Sequence, residues 1–251
     1  MIPGSLVGIF SHGWVWLLVI LGPLLFFNQR LQLELQAALF AIPRSQPVTL
    51  TVFAILLFPG VFLHELSHWL AARLLGIRTG RFSLTPQVLP GNTLRLGFVE
   101  MAASDVPREA LVGAAPLFAG GLAVAWISLR QLQAAALTEA LASGQLGVFF
   151  SRLQALPSQP DFWIWFYLVF AISGTMFPSA SDRRAWLPVA IAVLALVGLV
   201  ALSGAGAWAI EYAGPLVDAA CASAATILGV CLAVQIALLA PLWLLRSIFG
   251  R

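Results

Sequence analysis

The chain has 251 residues, 61% hydrophobic and only 9% charged, with a formal net charge of +3. Soluble domains carry roughly 25% charged residues, so this composition excludes an ordinary soluble domain and reads as a membrane protein. All thirteen basic residues are arginines, scattered along the chain, which excludes a nucleic-acid-binding surface.

The opening segment, MIPGSLVGIFSHGWVW, lacks the basic region of a signal peptide and is expected to remain as a first span over 6–27. Further apolar runs of the length a bilayer needs, about 20 residues, fall at 49–75, 109–130, 161–178, 187–209 and 219–245. The expected architecture is a single all-α integral-membrane domain over 1–251 with six transmembrane helices, the fourth broken at its end by Gly174 and Pro178. Segment 81–101 departs from the helical pattern. PGN at 90–92 is turn chemistry, and Leu94, Leu96 and Phe98 alternate with Thr93, Arg95 and Gly97, which predicts a β-hairpin at the membrane interface after the second span. Residues 131–160 are expected to hold an amphipathic helix lying on one surface. Cys221 and Cys231 lie about 15 Å apart along one helix, too far to bridge, and are read as packing residues.

Six spans put both termini on one side. Arg73, Arg78, Arg81, Arg95, Arg108, Arg183, Arg184, Arg246 and Arg251 fall on that side, and Arg30, Arg44, Arg130 and Arg152 on the other. Nine against four makes the side of the termini cytoplasmic, in a cell membrane of bacterial or archaeal type.

The second span contains HELSH at 64–68. Ionisable groups at membrane depth are costly without a partner. Residues i and i+4 share a helix face, so His64 and His68 can grip one metal ion with Glu65 beside it as general base. Such an ion lowers the pKa of bound water to about 7. Counting about 1.5 Å per residue from position 50, the site lies roughly 10 Å inside the cytoplasmic boundary. Pro59 and Gly60, just before the motif, are expected either to kink the helix around a wet cavity or simply to shape packing. Two histidines leave the site incomplete, because a catalytic zinc takes three protein ligands. His12 lies in the first span. Glu211 and Asp218 fall on the opposite side. Glu100, Asp105, Glu109 and Asp182 lie on the site's own side, and Asp182 could equally cap the fifth span or pair with Arg183 and Arg184.

HELSH at 64–68 together with TMFPSASD at 175–182 resembles the site-2 protease family of intramembrane zinc metalloproteases, over roughly residues 49–186. The order of parts is also similar: the HExxH span, a β-hairpin, a span rich in small residues, and a span bearing an Asp. The resemblance implies that His64, His68 and Asp182 hold one Zn2+ and that Glu65 is catalytic. It also implies that strand 93–99, with Leu94, Leu96 and Phe98, adds an extended substrate segment as an extra strand, with Pro116 and Pro178 in matching positions. The sequence departs from the family's pattern where Thr175 stands for Asn and Arg183 for Gly, and where Ala119 or Gly120 occupies a place in GAAPLFAGG at which Asn is common.

The activity expected is hydrolysis of peptide bonds in or near transmembrane segments of other membrane proteins, close to the cytoplasmic face. Two alternatives are an inactive relative that binds membrane proteins, and a zinc protease of the prenyl-protein type with Glu100 or Glu109 as third ligand.

Overall fold

The computed structural model describes residues 12–41, 45–89 and 93–249. In chain order these are helices α1 (Gly13–Ala41) and α2 (Gln46–Leu74), strands β1 (Thr79–Ser83), β2 (Gln87–Leu89), β3 (Thr93–Arg95) and β4 (Phe98–Met101), then helices α3 (Val106–Arg130), α4 (Ala134–Ala142), α5 (Leu146–Ala155), α6 (Phe162–Thr175), α7 (Trp186–Leu202) and α8 (Gly206–Phe249). Four of them, α1, α2, α3 and α8, are long and apolar enough to cross a membrane. The fourth and fifth expected spans are shorter, with 14 residues in α6 and 17 in α7.

The core lies where the buried stripes of these helices meet. In α1 the stripe is Leu24, Asn28, Leu31, Leu35 and Ala38, alternating in steps of four and three. In α2 it runs through Thr49, Phe53, Leu57 and Val61 and continues into Glu65, His68 and Ala72. The HELSH motif is therefore buried because it lies on the core-facing side of its helix. Pro59 sits within α2 without ending it. One turn away, the Tyr167 hydroxyl donates to the Leu56 carbonyl at 3.0 Å and ties α6 to α2.

Contacts along the helices fix their directions. Leu56 meets Tyr167 and His64 meets Thr175, so α2 and α6 run parallel. His68 meets Val112 at the start of α3, so α3 runs against α2. Gly13 meets Asp218, Asn28 meets Gln235 and Glu34 meets Arg246, so α1 and α8 also run parallel to each other. Helix α1 ends at Ala41 and α2 begins at Gln46, too few residues later to return along the bundle, so the two run in opposite directions. Helices α1 and α8 thus run opposite to α2 and α6, and Gly13 and Arg246 lie at opposite ends of the bundle. Six alternating spans would have put the two ends of the chain together. Helix α7 departs from that pattern because it links α6 and α8, which already run in opposite directions.

The expected first span begins at residue 6, and residues 6–11 lie outside the described residues, as does the 90–92 turn. Helix α1 continues well past the expected end at 27, and α8 begins well before 219. The 131–160 segment forms two short helices, α4 and α5, rather than one. Strand β2 pairs antiparallel with β3, placing Val88 opposite Leu94, and β1 pairs antiparallel with β4, placing Phe82 opposite Val99. The alternating run 93–99 is therefore interrupted at Leu96–Gly97. Both cysteines are free, with Cys231 buried.

Candidate metal centre

His64 and His68 project from one face of α2. Each is oriented by a backbone carbonyl of a different element. The His64 Nδ1–H donates to the Thr175 carbonyl at 2.7 Å, and the His68 Nδ1–H donates to the Val112 carbonyl at 2.9 Å. A carbonyl oxygen only accepts, so the proton of each neutral ring sits on Nδ1 and both Nε2 atoms present lone pairs. Those Nε2 atoms face each other at 3.1 Å. Asp182 completes the group, with its Oδ2 3.7 Å from His64 Nε2 and its Oδ1 3.4 Å from His68 Nε2.

Electron-rich atoms converging in this way could hold a cation between them. Atoms about 2.0–2.2 Å from a tetrahedral ion stand about 3.3–3.6 Å from one another. The two Nε2 atoms stand 3.1 Å apart, each faces a different oxygen of Asp182 at 3.7 and 3.4 Å, and with one ligand atom taken from each residue all three lie within 4.8 Å of one another. Carbonyl-anchored imidazoles plus a carboxylate are a donor set suited to zinc. The residues present fit the ion.

Asp182 reaches this point on the loop between α6 and α7. Its Oδ2 accepts the Ser179 N–H at 2.7 Å, which closes a tight local turn. Burial disfavours its charge, and the Ser179 N–H hydrogen bond favours it. Asp182 takes neither competing role: α7 has Ala185 at its N-cap with no side-chain cap bond, and Arg183 donates to the Ser179 carbonyl. Gly113 in α3 lets the Asp182 backbone pass, because a Cβ there would collide with the Asp182 carbonyl oxygen.

Glu65 is 8% exposed and packs against Gly97, where a Cβ would stand 2.8 Å from Glu65 Cγ. This contact places the stretch between β3 and β4 directly against the motif. Leu94 and Leu96 pack on the main core, and the Arg95 guanidinium lies 4.4 Å from the centre of the Phe98 ring. Each of β3 and β4 pairs with one strand among the described residues. Pro116 is fully buried in α3, and Pro178 lies in the loop that carries Asp182. The Thr175 hydroxyl bonds back to the Ala171 carbonyl at 2.9 Å and so turns toward its own helix.

The other candidate ligands are occupied elsewhere. Glu100 pairs with Arg81 at 3.2 Å, Glu109 accepts the Ser104 N–H, and Asp105 caps α3 and pairs with Arg108 at 3.1 Å. His12 lies 3.6 Å from Asp218, and Asp218 also accepts the Gly13 N–H, so neither belongs to the cluster. Sequence reasoning missed Gly97, Gly113, Gln32 and the Val112 and Thr175 carbonyls. Gln32 donates to the Gly174 carbonyl at 2.6 Å, one residue before the carbonyl that holds His64. No protein-family model matches this chain, and no curated protein or solved structure shows significant similarity to it.

Proposed function

We propose that this protein is an integral-membrane zinc endopeptidase that cleaves other membrane proteins in or near their transmembrane segments. The observation that carries the reading is the convergence of two carbonyl-anchored histidine Nε2 atoms and the Asp182 carboxylate beside a buried glutamate. Zinc bound there supplies a Lewis acid for water and for the scissile carbonyl. Glu65 takes a proton from the attacking water and delivers it to the leaving nitrogen. Gly97 leaves room for the Glu65 side chain beside the strands, and the backbone carbonyls of Thr175 and Val112 keep both imidazoles in the tautomer that leaves Nε2 free. The unpaired edges of β3 and β4 offer hydrogen-bonding groups to an extended substrate segment, which must unwind before its peptide bonds are accessible.

The reading with a glutamate as third ligand draws no support from Glu100 or Glu109, both of which have other partners. For topology, we infer five crossings, made by α1, α2, α3, α6 and α8. Helix α7 then stays on the metal's side of the bundle or within the outer lipid. Reversing α8 moves Arg246 and Arg251 across, so nine against four becomes seven against six, and arginine bias no longer selects a side. Cytoplasmic placement of the site then rests on the resemblance to site-2 proteases.

The test is zinc-dependent cleavage of a library of single-span membrane peptides by the purified protein. Glu65→Gln should keep its zinc and lose about 10²–10⁴-fold in rate. Equal cleavage by wild type and a zinc-loaded Glu65→Gln variant would exclude the proposed catalytic role.

A further inference from the structure

Where α2 ends and α3 begins, a basic cluster lies apart from the metal ligands. Two adjoining cavities, of about 450 and 290 Å³, share Gly76, Ile77 and Arg78; Arg73 lines the larger and Arg108 the smaller. The Arg73 guanidinium lies 5.1 Å from the centre of the Trp69 ring, and its Nε–H donates to Thr79 Oγ1. Arg108 is held by Asp105 at 3.1 Å. Among the described residues Arg78 has no carboxylate partner, so the one acid lining these cavities leaves two of three arginine charges uncompensated. The cavities sit on a small apolar cluster of Ala72, Ile77 and Val112. Below them the exposed leucines of α2 and α3, including Leu74 at 86% and Leu111 at 56%, present apolar flanks.

We propose that this paired cavity binds a phosphate-bearing anion, the headgroup of an acidic phospholipid whose acyl chains lie along the leucines of α2 and α3. A guanidinium fork matches phosphate oxygens in pairs. Trp69 sits where aromatic residues anchor a helix at the headgroup level. The cavities lie at the ends of two apolar helices, where a headgroup and its chains find basic and apolar surface together. Occupancy would brace the corner between α2 and α3 through Val112, whose carbonyl orients His68. The proposal does not depend on the peptidase reading.

The test uses delipidated protein in mixed micelles, titrated with dioleoyl phosphatidylglycerol or dioleoyl phosphatidylcholine and read as lipid retained per chain by native mass spectrometry. Wild type should retain one phosphatidylglycerol in preference to phosphatidylcholine. Arg78→Gln and Arg73→Gln should each weaken retention about fivefold. Arg130→Gln, at the far end of α3, should retain lipid as wild type does. Equal retention by wild type and both variants, or no preference over phosphatidylcholine, would overturn the site. A parallel arm adds inorganic phosphate. Arg78-dependent displacement of lipid at millimolar phosphate supports the site with a soluble anion as its occupant, and no displacement supports the lipid headgroup.

Discussion

His64 and His68 reach one point because their Nδ1 atoms are tied to carbonyls on α6 and α3. The histidines were legible in the sequence, since HExxH spacing on a helix carries its own geometry. Their orienting partners were not, because any residue supplies a backbone carbonyl. The two glycines at the site were equally silent. Gly97→Val would press a branched side chain onto Glu65 and should cost about 10²-fold in peptidase rate while zinc stays bound, a displacement effect on the base alone. Unchanged cleavage in that variant would show that Glu65 tolerates the shift. Gly113→Val acts on the ligand instead. It should expel the Asp182 backbone, lower bound zinc and destabilise the fold by about 1–3 kcal/mol, measured by thermal unfolding with and without metal.

At the level of elements, α1 shows most clearly where composition misleads. Residues 28–36 hold Asn28, Gln29, Arg30, Gln32, Glu34 and Gln36, which read as the end of a span. The helix continues past them, and three of these groups find partners on other helices: Asn28 bonds to Gln235 and Gln32 to the Gly174 carbonyl in the interior, and Glu34 to Arg246 at the surface. Gln32 thereby makes a helix outside the motif-bearing segment a support for the proposed metal site. It satisfies a carbonyl at the open end of α6, next to the one used by His64. Gln32→Met should speed zinc release to a chelator about tenfold and shift the visible spectrum of the cobalt-substituted protein. Asn28→Leu, which alters α1 against α8 without touching α6, should leave both measurements unchanged. The β region was legible as strands, but its split into two pairs was not, because the break falls where Gly97 packs against Glu65 on a helix distant in sequence.

Across the whole molecule, the sequence carries the apolar segments and their rough limits but not their directions. Alternation is the natural assumption for six spans, and the parallel pairing of α1 with α8 departs from it through contacts more than 200 positions apart, such as Asn28 to Gln235. The pairing predicts opposite sidedness for the two ends of the chain. In a cysteine-free background, His12→Cys and Ser247→Cys should react with a membrane-impermeant maleimide from opposite sides of sealed vesicles. Labelling of both from the same side would restore six crossings and require a rearranged α8.

If His64, His68 and Asp182 together hold one metal ion, the purified protein carries it, and zinc per chain is the quantity to measure. Wild type, His64→Ala and Asp182→Ala are compared after identical purification without chelators, with zinc supplied and unfolding curves confirming that the variants are folded. About one zinc is expected in wild type and almost none in either variant. Full zinc in Asp182→Ala would contradict the three-ligand site, and no zinc in wild type would remove the basis for peptidase chemistry altogether.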